Sequence, residues 1–192
     1  IGGGNLNVPY WGETGWVEGA LQSFGEPIPV VVDRFGSVYV ADVGNNRVQR
    51  FAENGRPDRV WGGPPDIADT WFGRGRDWYV SGSAPGDGPG QFHNPIAVEL
   101  IPQKEMDLIA ILDAERRVQI FDPDGNQLIG WHLNTDREVE PALGGEGHLA
   151  WLDSKGLLYA FFGSEAIAFD VHGQELLRFD IEDGTPNDVL VY

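Results

Sequence analysis

The sequence predicts an all-β fold, a β-propeller of four-stranded antiparallel blades, because it repeats one motif three times. The clearest copy covers 27–51, a second covers 95–121, and a fainter third covers 147–169. Each copy contains short apolar runs between turns with Gly or polar residues, and no segment shows a long helical period. A further short run that ends in an aromatic residue follows each copy, so one repeat has the four strands of a propeller blade.

The aromatic residue that closes the fourth run measures the length of the repeat. Trp11, Trp61, Trp131 and Phe179 are separated by 50, 70 and 48 residues, and blades of this kind take about 40 to 50 residues. The middle interval therefore contains an insertion, which we place at 62–94. The predicted single domain, 1–192, then divides into whole blades at 12–61, 62–131 and 132–179 and partial blades at 1–11 and 180–192.

The insertion is rich in Gly and Pro but also carries large aromatic side chains. A flexible linker would have few of these, so we expect part of the insertion to pack against the propeller or a partner. Aromatic rings give large contact areas, and arginine can anchor acidic groups. The candidate partner-binding residues are Trp71, Phe72, Arg74, Arg76, Trp78 and Tyr79. Alternatively, Trp71 and Trp78 only cover a neighbouring blade.

The two ends of the chain predict an incomplete ring. Residues 5–11 resemble the outer strand of a blade whose first three strands are absent, and 186–192 align with the inner strand that begins at Pro27. An open ring would expose two strand edges, so we expect further chain to complete it. A first residue Ile1 fits a processed or trimmed polypeptide. A four-bladed ring with irregular termini and a ring shared between subunits are the alternatives.

The repeated motif resembles the NHL repeat family of β-propellers. The resemblance rests on DVGNNRVQRF at 42–51, on DAERRVQIF at 113–121, and on GQFHNP at 90–95. In the third copy, Phe162 and Glu165 replace the Asp and Arg of the motif. We therefore expect the third blade to be the least typical of the family. We interpret the repeated residues as structural, with each Arg bound to a carboxylate or to backbone carbonyls. They are Asp42, Asn46, Arg47, Phe51, Asp113, Arg117 and Phe121.

Composition restricts the partners. With 30 acidic and 13 basic residues the formal net charge is −17, which argues against nucleic-acid binding because phosphate recognition needs clustered Lys and Arg. The chain has no cysteine, so disulfides and thiolate metal sites are excluded. No run reaches the roughly 18 apolar residues of a membrane span, although an anchor outside this sequence stays open. Seven tryptophans and the polar insertion are compatible with an extracytoplasmic bacterial protein or a membrane-associated complex.

A second candidate site lies where the inner strands begin, at the mouth of the central channel. The repeat alignment brings polar residues from successive blades to this rim: Glu26, His93, Asn94, Glu146 and His148. Imidazole nitrogen and carboxylate oxygen are ordinary ligands of divalent ions, so a divalent metal is conceivable there. The structural alternative is that these residues cap turns or face water.

Two functions therefore remain. The first is a non-enzymatic binding or scaffold module, with no cofactor, that presents its loops to a protein or glycan partner or to other subunits of a larger assembly. The alternative is a metal-dependent lyase or hydrolase at the channel mouth, with His93 and His148 as ligands and Glu26 or Glu146 as base. Propellers that resemble this family include a metal-dependent lyase of amidoglycolate peptides. We prefer the scaffold, because residues repeated from blade to blade build architecture, whereas a catalytic site needs different groups from different blades.

Overall fold

The computed structural model describes residues 28–62, 85–133, 147–152, 154–162 and 164–181. Twelve β-strands in these ranges form three sheets of four strands each. The same ranges contain a single 3₁₀ turn at Val43–Asn45 and no helix that is long and apolar enough to cross a membrane. The predicted all-β class is therefore confirmed.

Each sheet is a meander whose strands are neighbours in sequence and in space. The first blade contains β1 (Val30–Val32), β2 (Val38–Asp42), β3 (Arg47–Phe51) and β4 (Pro57–Gly62). The second contains β5 (Pro95–Ile101), β6 (Leu108–Asp113), β7 (Arg117–Phe121) and β8 (Gln127–His132). The third contains β9 (Gly147–Leu152), β10 (Leu157–Phe162), β11 (Glu165–Phe169) and β12 (Glu175–Asp180). All neighbouring strands pair antiparallel, which confirms the predicted four-stranded blade.

The hairpin between the third and fourth strands closes on a glycine in every blade. These glycines adopt the left-handed backbone that residues with a Cβ disfavour, with φ values of 77° at Gly55, 86° at Gly125 and 79° at Gly173. In blade 2, Asp122 Oδ1 accepts hydrogen bonds of 2.9 Å from the backbone N–H groups of Asp124 and Asn126. Asp170 repeats this arrangement in blade 3. The Asp and Gly residues of these loops are therefore turn-forming.

The hydrophobic core lies between adjacent blades. Successive residues of a strand point to opposite faces of its sheet, and β6 shows the consequence. Ile109 and Ile111 pack in the cluster shared with blade 1, whereas Ala110 and Leu112 pack in the cluster shared with blade 3. Blade 2 is therefore buried on both faces.

Two large apolar side chains on the outer strand of blade 3 are exposed. Leu177 and Phe179 on β12 are 52% and 48% exposed. At the equivalent positions of β8, Ile129 and Trp131 pack against the core between blades 2 and 3. Among the described residues, the apolar side chains of β8 are thus packed against a neighbouring blade, whereas those of β12 are not.

An ion pair joins blades 1 and 2 outside the core. Arg34, in the turn after β1, donates from Nε to Asp107 Oδ1 at 3.0 Å and also binds it through Nη2. The same Nη2 donates to the carbonyl oxygen of Gln103 at 2.7 Å. Hydrogen bonding to the Arg34 guanidinium lowers the pKa of Asp107 below its ordinary value.

Candidate functional site

The repeated motif of blade 1 forms a buried polar cluster at the end of β2. Arg47 Nε lies 2.6 Å from Asp42 Oδ2, and both side chains are fully buried. Gln49 Nε2 donates to the same oxygen at 3.0 Å, and Asn45 Nδ2 lies within 3.0 Å of both carboxylate oxygens. Because the buried carboxylate has both a charge partner and further donors, its desolvation is compensated. The cluster is a structural element of the blade.

Asn46 connects this cluster to the start of blade 2. Its backbone is left-handed, with φ 50°, which asparagine tolerates better than most residues. Its side-chain Oδ1 accepts a hydrogen bond of 2.8 Å from the backbone N–H of Asn94. The residue that the motif places in a tight turn therefore also holds the segment that introduces β5.

The same motif in blade 2 joins the blade to the end of the insertion. Arg117 pairs with Asp113, at 3.3 Å from Nε and 3.1 Å from Nη2 to Oδ2. Its guanidinium also donates to the backbone carbonyls of Gly86, Asp87 and Gln91. Burial raises the pKa of Asp113, and the charge of Arg117 opposes that rise. Arg117 thus ties residues 86–91, the last part of the insertion, to the blade.

Gln119 adds a second tie to this segment. Its Nε2 donates to the carbonyl oxygen of Gln91 at 2.8 Å, and its Oε1 accepts from the backbone N–H of Gly90 at 2.9 Å. The backbone N–H of Gly86 in turn donates to the carbonyl oxygen of Phe92 at 3.2 Å. Residues 85–94, which we call the stem of the insertion, are therefore folded onto themselves and onto β7.

The beginning of the insertion meets the stem. A Cβ on Gly62, the last residue of β4, would lie 2.6 Å from the carbonyl oxygen of Asn46 and 3.0 Å from the ring of Phe92. Gly62 has φ 118°, so a side chain is disfavoured by both space and backbone. Phe92 is fully buried and lies 5.7 Å from the ring of Phe121. Segment 63–84 is therefore bounded on both sides by residues packed on the propeller.

The six predicted partner-binding residues lie in segment 63–84, outside the described residues. They are Trp71, Phe72, Arg74, Arg76, Trp78 and Tyr79. Their role as a contact surface stays a prediction. The structure shows that the residues on both sides of this segment, Gly62 and the stem, are packed on the propeller.

The predicted channel-mouth residues are described only in part, because Glu26 and Glu146 lie outside the described ranges. Asn94 has φ 49°. His93 Nε2 lies 3.0 Å from Asp87 Oδ1, so this His contacts another residue of the stem. His148 is an exposed residue of β9, paired with Phe161. Among the residues in the described ranges, no three His, Asp or Glu side chains are grouped as metal ligands.

Sequence reasoning missed several of the residues that organise this region. Gln49 and Gln119 both follow the motif Arg by two positions, so the repeated RVQ was an available signal. Gln91 and Phe92 belong to the GQFHNP segment of the family resemblance, but their contacts depend on how the stem folds back. Nothing in the sequence indicated the pair between Arg34 and Asp107.

Comparison with known proteins identifies chains of similar fold. Among solved structures, the chain is similar to U3-55K, with a TM-score of 0.57 and 14% identity over 85% of this chain and 42% of that one. It is similar to the RRP9 WD40 repeats, with a TM-score of 0.56 and 13% identity over 85% and 42%. It is also similar to virginiamycin B lyase from Staphylococcus aureus with Quinupristin, with a TM-score of 0.52 and 12% identity over 85% and 44%.

At these identities the similarity shows the fold alone, and that fold is a β-propeller, the architecture of WD40 repeats. The chain spans less than half the length of each of these three proteins. More particularly, the NHL repeat family model matches residues 24–51, so the chain contains an NHL repeat, in agreement with the resemblance seen in the sequence. No curated protein sequence matches the chain.

Proposed function

We propose that this propeller is a binding or scaffold module that presents loops to a protein or glycan partner within a larger protein or assembly. The observation that carries the proposal is the rigid stem under segment 63–84. Arg117 directs its guanidinium to three backbone carbonyls of the stem. A loop whose two ends are already held has less conformational freedom to lose on binding, and binding residues commonly lie on loops held by a rigid scaffold.

The composition of segment 63–84 fits such a surface. Trp71, Phe72, Trp78 and Tyr79 lie within nine residues of one another, together with Arg74 and Arg76. Trp, Tyr and Arg are the residue types most enriched at the energetic centres of protein interfaces. The proposal assigns the partner contact to this group.

The repeated charged residues support an architectural role for the blades. Asp42 and Arg47 are fully buried and bound to each other, while Asp113 and Arg117 hold the stem. Residues so enclosed cannot meet a substrate. The alternative, a metal-dependent lyase or hydrolase at the channel mouth, depends on Glu26 and Glu146, which lie outside the described residues.

The test replaces residues 66–84 by a short Gly-Ser linker and keeps Gly62 and the stem. Partners of the intact chain are first identified by cross-linking and by glycan arrays, and each is then titrated against the variants. We expect the deletion to abolish binding while the far-ultraviolet circular dichroism spectrum keeps its β signal, because the stem is held by contacts outside the deleted segment.

Two point variants sharpen this experiment. The double substitution Trp71→Ala and Trp78→Ala should weaken binding as the deletion does. Leu128→Ala, which truncates a 54% exposed side chain on β8, is the matched control and should bind as the unmodified chain does. Undiminished binding by the folded deletion variant would show that the partner contacts another surface.

A further inference from the structure

Two hairpins at the end of the strands away from the stem expose large apolar side chains. Phe35, in the turn between β1 and β2, is 62% exposed, and Met106, in the turn between β5 and β6, is 41% exposed. The stem precedes Pro95 at the start of β5, whereas the second hairpin follows Ile101 at its end. The seven residues of this strand span roughly 20 Å, so the two hairpins lie far from the insertion.

The ion pair between Arg34 and Asp107 holds the two hairpins together. The backbone N–H of Arg34 donates to Asp107 Oδ2 at 3.3 Å, and the guanidinium binds Asp107 Oδ1 through Nε and Nη2. Nη2 also donates to the carbonyl oxygen of Gln103 at 2.7 Å. Phe35 follows Arg34 and Met106 precedes Asp107, so the two exposed apolar residues flank the pair. The hairpins are therefore joined to each other without any partner.

The turn that carries Phe35 is also held from within. Asp33 Oδ1 accepts hydrogen bonds from the backbone N–H groups of Phe35 and Ser37 at 2.9 Å and 2.8 Å. Asp33 Oδ2 accepts from the Tyr39 hydroxyl at 3.1 Å. Because the backbone is fixed and the aromatic side chain has only two rotatable bonds, Phe35 has little conformational freedom to lose on binding.

Arg34 keeps an unused donor beside these apolar residues. Its Nε and Nη2 bind Asp107 and Gln103, whereas Nη1 has no acceptor among the residues that the structure describes. The Arg34 side chain is 40% exposed, and its Cζ lies 6.0 Å from the ring centroid of Phe35. A partner that covers this place must supply an acceptor for Nη1, because a donor that is buried without one costs free energy.

The charges around Arg34 indicate that this acceptor is uncharged. The guanidinium is already paired with the Asp107 carboxylate and interacts with the buried Asp33. In the second hairpin, the exposed Lys104 and Glu105 oppose each other, and the whole chain has a net charge of −17. A further carboxylate would therefore be repelled, whereas the carbonyl oxygen of a peptide backbone would not.

We propose that Phe35, Met106 and Nη1 of Arg34 form a second docking surface, which binds an uncharged apolar segment of another protein. Apolar side chains of that segment cover Phe35 and Met106, and one of its backbone carbonyls accepts from Nη1. Burial of apolar surface is the main favourable contribution, and the flexible methionine adapts to the shape of the partner. The surface is separate from segment 63–84, so it does not depend on the function proposed for that segment.

Short random peptides displayed on phage provide the probe. The unmodified chain selects peptides, and a double variant, Phe35→Ser with Met106→Ser, removes those that bind elsewhere on the molecule. We expect the remaining peptides to share uncharged, apolar sequences. Synthetic peptides of these sequences should bind the double variant about tenfold more weakly than the unmodified chain. Added salt should change their affinity little, because no ion pair forms with the partner.

Three further variants refine the experiment. Arg34→Lys keeps the positive charge beside Asp107 but has no counterpart of Nη1, so it should weaken binding several-fold. Leu128→Ser removes an apolar side chain that is 54% exposed on β8 and is the matched control, with unchanged affinity. The variant with residues 66–84 replaced should also bind these peptides as the unmodified chain does, which separates this surface from the one proposed at 63–84. Circular dichroism and urea unfolding show that each variant is folded.

Three results would overturn the proposal. If the double variant removes no binder that the unmodified chain retains, this surface does not bind apolar segments. If the remaining peptides are acidic and lose affinity in salt, the partner carries a carboxylate. If phosphatidylcholine vesicles sediment with the unmodified chain but not with the double variant, the exposed apolar residues contact a membrane.

Discussion

The Asp and Arg of the motif pair in both blades 1 and 2, across turns of different length. The turn between Asp42 and Arg47 has four residues, whereas the turn between Asp113 and Arg117 has three. In the longer turn, Asn45 supplies two donors to the Asp42 carboxylate. In the shorter turn, the guanidinium of Arg117 extends to the backbone of the stem. The longer turn of blade 1 thus adds an amide donor to the Asp42 carboxylate.

The buried pair in blade 1 predicts a large loss of stability on truncation. Arg47→Met removes the guanidinium that pairs with the buried Asp42 carboxylate, and breaking a buried ion pair typically costs about 3 to 5 kcal/mol. The matched control is Arg178→Ala, which removes partly exposed ion pairs to Glu165 and Glu175 and should cost less than about 1 kcal/mol. Urea unfolding of the two variants measures the difference. Equal losses of unfolding free energy in the two variants would mean that burial does not determine how much the ion pair contributes to stability.

Blade 3 lacks the Asp and Arg of the motif, as the sequence indicated, and the structure shows what replaces them. The guanidinium of Arg116 in blade 2 lies 4.6 Å from the ring centroid of Phe162, a cation–π contact across the junction. Glu165 binds Arg178 on β12 at 2.6 Å. The two substituted positions therefore retain charged contacts, but with neighbours that differ from those in blades 1 and 2.

The inner strands of blades 2 and 3 meet through a glycine. Register between β5 and β6 shifts at Pro95–Ala97, and Ile96 projects toward β9. A Cβ on Gly147 would lie 2.5 Å from Ile96 Cδ1 and 3.1 Å from Leu112 Cδ2. The absence of a side chain at Gly147 allows the two strands to approach closely.

This contact predicts a destabilisation that a second substitution relieves. Gly147→Ala introduces a methyl group into filled space and should cost about 1 to 3 kcal/mol. Ile96→Val removes the Cδ1 atom nearest to that methyl, so Gly147→Ala should cost less in the Ile96→Val background than alone. The four proteins of this double-mutant cycle are compared by chemical unfolding. If the losses of the two single variants simply add, the methyl group introduced at position 147 does not press on Ile96.

At the scale of the whole molecule, blades 1 and 2 are joined by the core and by the pair between Arg34 and Asp107. Asp107 has only 6% of its side chain exposed, and its pKa is lowered by hydrogen bonding to Arg34. A carboxyl group with a lowered pKa in the folded state contributes stability above its unfolded pKa. That contribution is lost as pH falls through the folded value.

The pair therefore predicts an acid-sensitive junction. In Asp107→Asn, the free energy of unfolding should be lower than in the unmodified chain at neutral pH, and this difference should shrink as pH decreases below 4. Asp124→Asn is the control, because Asp124 is 66% exposed and lies 3.3 Å from Arg59. Urea titrations between pH 3 and pH 7 provide the measurement. A difference that is independent of pH would contradict the assigned role of Asp107.

The sequence by itself determined the all-β class, the four-stranded repeat and the structural use of the Asp and Arg pair. These features depend on turn residues and on the alternation of apolar and polar residues, both of which are local in sequence. Asp42 and Arg47, for example, are only five positions apart. Only the tertiary structure decided that Arg117 holds the stem and that His93 lies beside Asp87. The bonds from Arg117 to the stem join residues 26 to 31 positions apart, and such contacts form only when the insertion folds back onto its blade.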